Sequence, residues 1–134
     1  MVQAPTPIDL GLAPGSTGTL VTTATAQTVH GPDIVNIWGT SAKFFVNVSA
    51  ATGTLPTTLV TIEGKDPISG TYYTILASTA LAGVTSQLLA VGPGITAVAN
   101  KSVADWMPPV FRISVTYGGT TPTIAGTIGM AFGP

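Results

Sequence analysis

One five-residue phrase, Gly-Thr-x-Pro-Thr, occurs twice in this chain, at 53–57 and at 119–123, each time between runs in which apolar and polar residues alternate. Phe44, Val46 and Val48 precede the first copy, and Thr58, Val60 and Ile62 follow it. Phe111, Ile113, Val115 and Tyr117 lead into the second, and Ile124, Gly126, Ile128, Met130 and Phe132 leave it. Successive side chains of a strand point to opposite faces, so alternation rich in β-branched and aromatic residues reads as a half-buried strand. Gly and Pro between two such runs read as a turn. The pattern predicts two related hairpins, each reversing at its Gly-Thr-x-Pro-Thr, framing a β-sandwich.

The rest of the chain fits that frame. Residues 1–17 hold Pro5, Pro7 and Pro14 with Gly11 and Gly15, which exclude a helix, while Ile8, Leu10 and Leu12 alternate. This predicts an extended arm with one apolar side, docked on its own domain, docked on a neighbouring subunit or disordered, followed by a single β domain over 18–134. Residues 19–29 read as a Thr-rich strand, and 34–38 as a short one closed by Gly39. Asp66-Pro67-Ile68-Ser69-Gly70 is turn chemistry. The aspartate can accept from the backbone two residues on, Pro presets φ, and Gly70 can take the left-handed conformation, so 72–76 is the partner strand. Residues 84–91 form another strand, with 95–98 as its continuation or a short edge. Residues 100–107, stopped by Pro108-Pro109, have the only helical flavour and predict a single-turn connection. The expected fold is all-β, an antiparallel jelly-roll or immunoglobulin-like sandwich of seven to nine strands. Its core should draw on Phe44, Val46, Val48, Val60, Ile62, Tyr73, Ile75, Leu88, Phe111, Ile113, Val115, Ile128 and Met130. Trp38 and Trp106 sit beside turns and suit core rims or subunit contacts.

Charge narrows the function. Of 134 residues only nine are charged: Asp9, Asp33, Glu63, Asp66 and Asp105 against Lys43, Lys65, Lys101 and Arg112. At 7% charged residues and a net charge of −1 the chain has no basic footprint for nucleic acid or anionic lipid. Mean hydropathy is +0.52, yet Gly, Pro and Thr break every apolar run well before the roughly 18 residues a spanning helix needs. The first residues lack the basic and apolar regions of a signal peptide. A neutral surface rich in Thr, Ser, Gly and Ala favours a protein much of whose surface is covered by neighbouring chains.

No chemistry-bearing constellation stands out. His30, the one histidine, lies in His-Gly-Pro-Asp and reads as a loop residue beside a turn; without Cys it has too few companions for a zinc site. Glu63 and Asp66 read as solvated hairpin ends flanking Lys65. Gly92-Pro93-Gly94 lacks the Lys-Ser/Thr of a phosphate loop, and Tyr72 and Tyr73, being adjacent, cannot form a sugar-stacking row. The expectation is therefore a non-enzymatic chain, with no catalytic, cofactor-binding or metal residues to name and no cofactor.

The stretch VNVSAATGTLPTTLVTIEGKDPISGTYYTI, with GPGITAVANKSVADWMPPVFRISVTYGGTTPTIAGTIGMAF, resembles the small β-rich auxiliary head proteins of tailed bacteriophages, among them capsid decoration (cement) proteins. The likeness covers residues 42–134 and carries no functional residue. It implies a structural virion protein, made in the host cytoplasm and bound as a homotrimer to the outer surface of an assembled head. There it would contact the major capsid protein and stabilise the shell, with no nucleic-acid or membrane partner. Other virion roles (tail tube, tail terminator, head fibre) and a carbohydrate-binding adhesin module are the alternatives.

Overall fold

In the computed structural model the described residues are 19–23 (backbone), 26–37 and 39–133. The expected arm and Trp38 lie outside them. Nine strands follow in order: β1 (Thr19–Thr23), β2 (Gln27–His30), β3 (Ile34–Val35), β4 (Ser41–Lys65), β5 (Tyr72–Ala77), β6 (Leu81–Ala82), β7 (Thr85–Val91), β8 (Ser102–Val103) and β9 (Val110–Gly133). The fold is all-β, as the alternation predicted.

The two Gly-Thr-x-Pro-Thr segments are not hairpin turns. Each lies inside one continuous strand, and the two strands pair with each other along their whole length, from Ser41↔Gly133 to Gly64↔Phe111. Thr54 of the first phrase is opposite Thr120 of the second, so the phrases meet at the middle of the ladder. There both chains turn a corner together. Gly53 and Gly119 have φ of 106° and 109°, and Leu55 and Thr121 have φ of 51° and 46°. A Cβ on Gly53 would come within 2.7 Å of the Thr121 carbonyl oxygen, and one on Gly119 within 2.7 Å of the Leu55 carbonyl oxygen. Only glycine permits this mutual approach. The prolines that follow have no N–H to give the ladder, whose register shifts on both sides of Thr54.

The corner folds the ladder double. Twenty residues separate Phe44 from Gly64, the register partner of Phe111, a span of about 65 Å in a straight strand. Yet the rings of Phe44 and Phe111 lie 6.1 Å apart, edge to face at 79°. Phe111 also meets Phe132, at 6.2 Å. The sheet is thus one mixed, curled sheet with two facing halves. Half I comprises β1, residues 123–133 of β9, residues 41–52 of β4, then β7 and β8. Half II comprises β2 and β3, residues 110–118 of β9, residues 57–65 of β4, then β5 and β6. All pairings between these strands are antiparallel except β7 with β8.

The connectivity interlocks. Every strand of the first part of the chain (β1, β2, β3) pairs with β9, and β5, β6 and β7 pair with β4. Around the corner the two parts are related by a pseudo-two-fold. Ala50↔Ala125 matches Leu59↔Thr116, Ala51↔Ile124 matches Thr58↔Tyr117, and Thr52↔Thr123 matches Thr57↔Gly118.

The inward faces make one core, in which Phe44, Val46, Val48, Val60, Ile62, Leu89, Phe111, Ile113, Val115, Tyr117 and Ile124 are almost wholly buried. Each large side chain contributes about 1.5–3 kcal/mol of transfer free energy. Two expected core residues are outside it: Tyr73 and Leu88 are 62% and 45% exposed. Leu76 and Leu89 are buried instead. Leu88 and Leu89 are adjacent, so one must face out. In β5 a register shift opposite Ile62 and Glu63 displaces the inward set by one position. Three local expectations also change. Residues 19–29 form two strands, β1 and β2, on either side of the corner. Residues 100–107 hold β8 and turns rather than a helical turn. Residues 95–98 contribute only a bridge, Val98 to Ser102.

Candidate functional site

The outer face of half II gathers four of the nine charged residues and the one histidine. Alternation within β4 and β9 places Thr61, Glu63, Arg112, Ser114 and Thr116 on this face, with Phe111, Ile113 and Val115 inward. Arg112 Nε donates to Glu63 Oε1 at 2.9 Å, and the Ser114 hydroxyl donates to the same oxygen at 2.5 Å. His30 Nδ1 is 2.7 Å from Ser114 Oγ and 3.8 Å from Glu63 Oε1. The Arg112 guanidinium stacks on the Tyr72 ring, 3.5 Å from its centroid. The Tyr72 hydroxyl and Lys65 Nζ donate to the two carboxylate oxygens of Asp33, at 2.5 and 2.7 Å.

Burial acts to raise the Glu63 pKa, but hydrogen bonds from Ser114 and Arg112 and the guanidinium charge outweigh it and hold the carboxyl below its ordinary 4.5. The hydrogen bond from Lys65, then that from Tyr72, holds Asp33 below its ordinary value, and Asp33 in turn raises Lys65. In the β4–β5 turn the Ser69 hydroxyl and the Ile68 N–H lower Asp66. That turn has the expected form, with Gly70 at φ 75° and its N–H on the Asp66 carbonyl.

This cluster contains Ser, His and Glu, but not in the order a nucleophile needs. In a triad the imidazole stands between hydroxyl and carboxylate and removes the hydroxyl proton. Here Ser114, 4% exposed, stands between His30 and Glu63 and gives its proton to the carboxylate. It can only accept from His30. The arrangement ties strands together: His30 and Asp33, at the two ends of the β2–β3 segment, are fastened to β4, β5 and β9. His30 is therefore a strand-end residue in a network, not a free loop histidine, and Glu63 is half-buried in that network rather than solvated beside Asp66. No local motif announces this, because its members come from four strands. The one available hint is the scarcity of charge.

Among the described residues no three His, Cys, Asp or Glu side chains converge as a metal ion would require, and no helix is long and apolar enough to cross a membrane. Two clefts among the described residues lie on half I. One, of about 320 Å³, opens between Ser41–Lys43, Ala90–Val91, Ile95 and Ala131–Gly133, with Lys43 its one ionisable residue. The other, of about 280 Å³, is formed by residues 45–47 of β4 and 86–88 of β7, none of them ionisable. At the end of the sheet away from the corner, Val35, Ile37, Ile68, Val98 and Trp106 are 47–95% exposed. Val35, Ile37 and Trp106 lie in or beside connections tied together by Asn36 N–H to the Pro109 carbonyl and Met107 N–H to the Thr40 carbonyl, both 2.8 Å. No family model matches the chain, and neither a curated protein nor a solved structure matches it.

Proposed function

We propose that this chain is a non-enzymatic structural protein of a virion that decorates the outer surface of an assembled phage head and stiffens its shell. In this reading the two halves of the curled sheet serve as the layers of a β-sandwich, with an N-terminal arm, and the chain acts as a homotrimer against the major capsid protein. The observation that carries it is the distribution of polarity. The ionisable groups gathered on half II are engaged with one another, while large apolar side chains stand exposed at the end of the sheet away from the corner and, with Leu55, at the corner itself. A surface of that kind suits burial against protein: apolar contact area contributes, and few charges have to be desolvated. The resemblance of residues 42–134 to auxiliary head proteins points the same way. Many identical, individually modest contacts on a shell then add through multivalency.

Mass spectrometry of purified particles tests the reading. The protein should be present at a fixed ratio to the major shell protein, and heads assembled without it should lose integrity at lower temperature. Its absence from particles, or a ratio of a few copies per virion, would replace this proposal with a non-virion or a tail role.

A further inference from the structure

The outer face of half I differs from that of half II in having an apolar pair at its centre. Phe45 and Leu88 are cross-strand neighbours, 50% and 45% exposed. They border the 280 Å³ groove formed by β4 and β7. On the other side, Phe45 lies over Gly129, where an added Cβ would touch its ring at 3.9 Å. The rows above and below are neutral except for Lys43. Two half-exposed apolar side chains side by side across the strands, on a face whose one charge is Lys43, call for a cover.

The chain supplies one within reach. Thr19, at the start of β1, is the register partner of Thr127, which is the partner of Asn47, one row from Phe45. Eighteen residues precede Thr19, and among them Ile8, Leu10 and Leu12 alternate, with Asp9 the only charge. The nine residues from Leu10 to Thr19 span up to ~30 Å, whereas β1 and β7 are three strand spacings apart, ~14 Å. Asp9 is also opposite in sign to Lys43, the one charge of the face. We propose that residues 8–12 lie across the outer face of half I of their own chain and cover Phe45 and Leu88. This does not depend on what the protein decorates.

The chain has no cysteine, so paired cysteines give a clean test in the full-length protein. Leu10→Cys with Leu88→Cys, treated with a short bismaleimide, should cross-link within one chain. Leu10→Cys with Thr116→Cys, whose second position is exposed on the outer face of half II, should not. Equal cross-linking of both pairs, or none in a protein whose two cysteines label freely, overturns the proposal. Covalent dimers or larger species overturn it as well, by showing that the cover comes from another copy. As a second measurement, Ile8→Asp with Leu10→Asp should raise binding of an apolar-surface dye several-fold, and adding Phe45→Ser should remove the increase. Unchanged dye binding would sink the assignment without any question of misfolding.

Discussion

Phe45 and Phe111 stand at corresponding positions in the two long strands, 66 residues apart in sequence, yet Phe45 is 50% exposed and Phe111 is fully buried. The cause lies four residues further on. The pseudo-two-fold around the corner holds from Ala50↔Ala125 inward, but in half I the register shifts between Val48 and Ala50, leaving Ser49 without a partner. Half II has no such shift between Thr57 and Gly64. One unpaired residue moves every later side chain to the other face. Half I therefore buries Phe44, Val46 and Val48 and turns Phe45 out. Half II buries Phe111, Ile113 and Val115 and turns Arg112 and Ser114 out, onto the charged face. A single bulge separates an apolar exterior from a polar one in halves built on the same plan.

The bulge has a requirement that gives the largest expected effect. A Cβ on Gly126 would run into the carbonyl group of Asn47 and the Val48 Cα, and these are backbone atoms that cannot swing aside as a side chain could. Its counterpart across the pseudo-two-fold is Val60, a fully buried core residue. Gly126→Ala should abolish folding or cost more than about 4 kcal/mol, whereas Val60→Ala should cost about 2 kcal/mol for its cavity. Urea denaturation of both variants decides it; a Gly126→Ala protein within about 1 kcal/mol of the parent would mean the bulge is not where the register places it.

The two phenylalanines sharpen the comparison directly. Phe111→Ala should cost about 3–5 kcal/mol, because its ring meets those of Phe44 and Phe132 across the folded ladder. Phe45→Ala should cost about 1 kcal/mol or less. Similar losses for the pair would show that the two halves do not differ as described.

Sequence alternation identifies the strands and most of the core, since period two over 44–48, 58–62 and 111–117 admits one buried set per run. It also makes the β4–β5 turn legible, because Asp66, Pro67 and Gly70 act through contacts no more than five residues away. It misjudges the Gly-Thr-x-Pro-Thr segments for a physical reason. Gly with positive φ followed by Pro serves a chain that reverses and a chain that bends equally well, and the deciding partner lies 66 residues away. The bulge at Ser49 is invisible in the same way: Ser49-Ala50 is ordinary strand sequence, and only the position of Gly126 opposite shows the need for it. The Glu63 network was illegible because Glu63, Arg112, Ser114, His30, Tyr72 and Asp33 meet only once four strands are in register.

That network should make half II the acid-sensitive half. Glu63 and Asp33 titrate lower in the folded chain than in the unfolded one, so near their ordinary values of 4.5 and 3.8 the unfolded chain binds more protons. Their stabilisation is then complete above those values and is lost as the pH falls through the lowered folded ones. Glu63→Gln, which keeps the size but strips the charge from the Arg112 and Ser114 contacts, should cost on the order of 1–2 kcal/mol at neutral pH. It should also flatten the fall in melting temperature between about pH 5 and pH 3. An unchanged acid limb in the variant would place the acid sensitivity elsewhere.

The smallest effect has the opposite sign and comes from the same pairing of halves. Thr58 corresponds to Ile124, and both face the core next to the corner, each 1% exposed. Ile124 packs there with no polar atom. Thr58 carries into the same environment a hydroxyl that has no hydrogen-bond partner. A buried hydroxyl without a partner costs about 1–3 kcal/mol relative to water, while the methyl of an isosteric valine fills the same space and adds apolar burial. Thr58→Val should therefore raise stability by about 1 kcal/mol, read as a higher urea midpoint at unchanged slope. A loss instead would show that the Thr58 hydroxyl is satisfied in solution, and with it that the core of half II admits water where that of half I, at Ile124, does not.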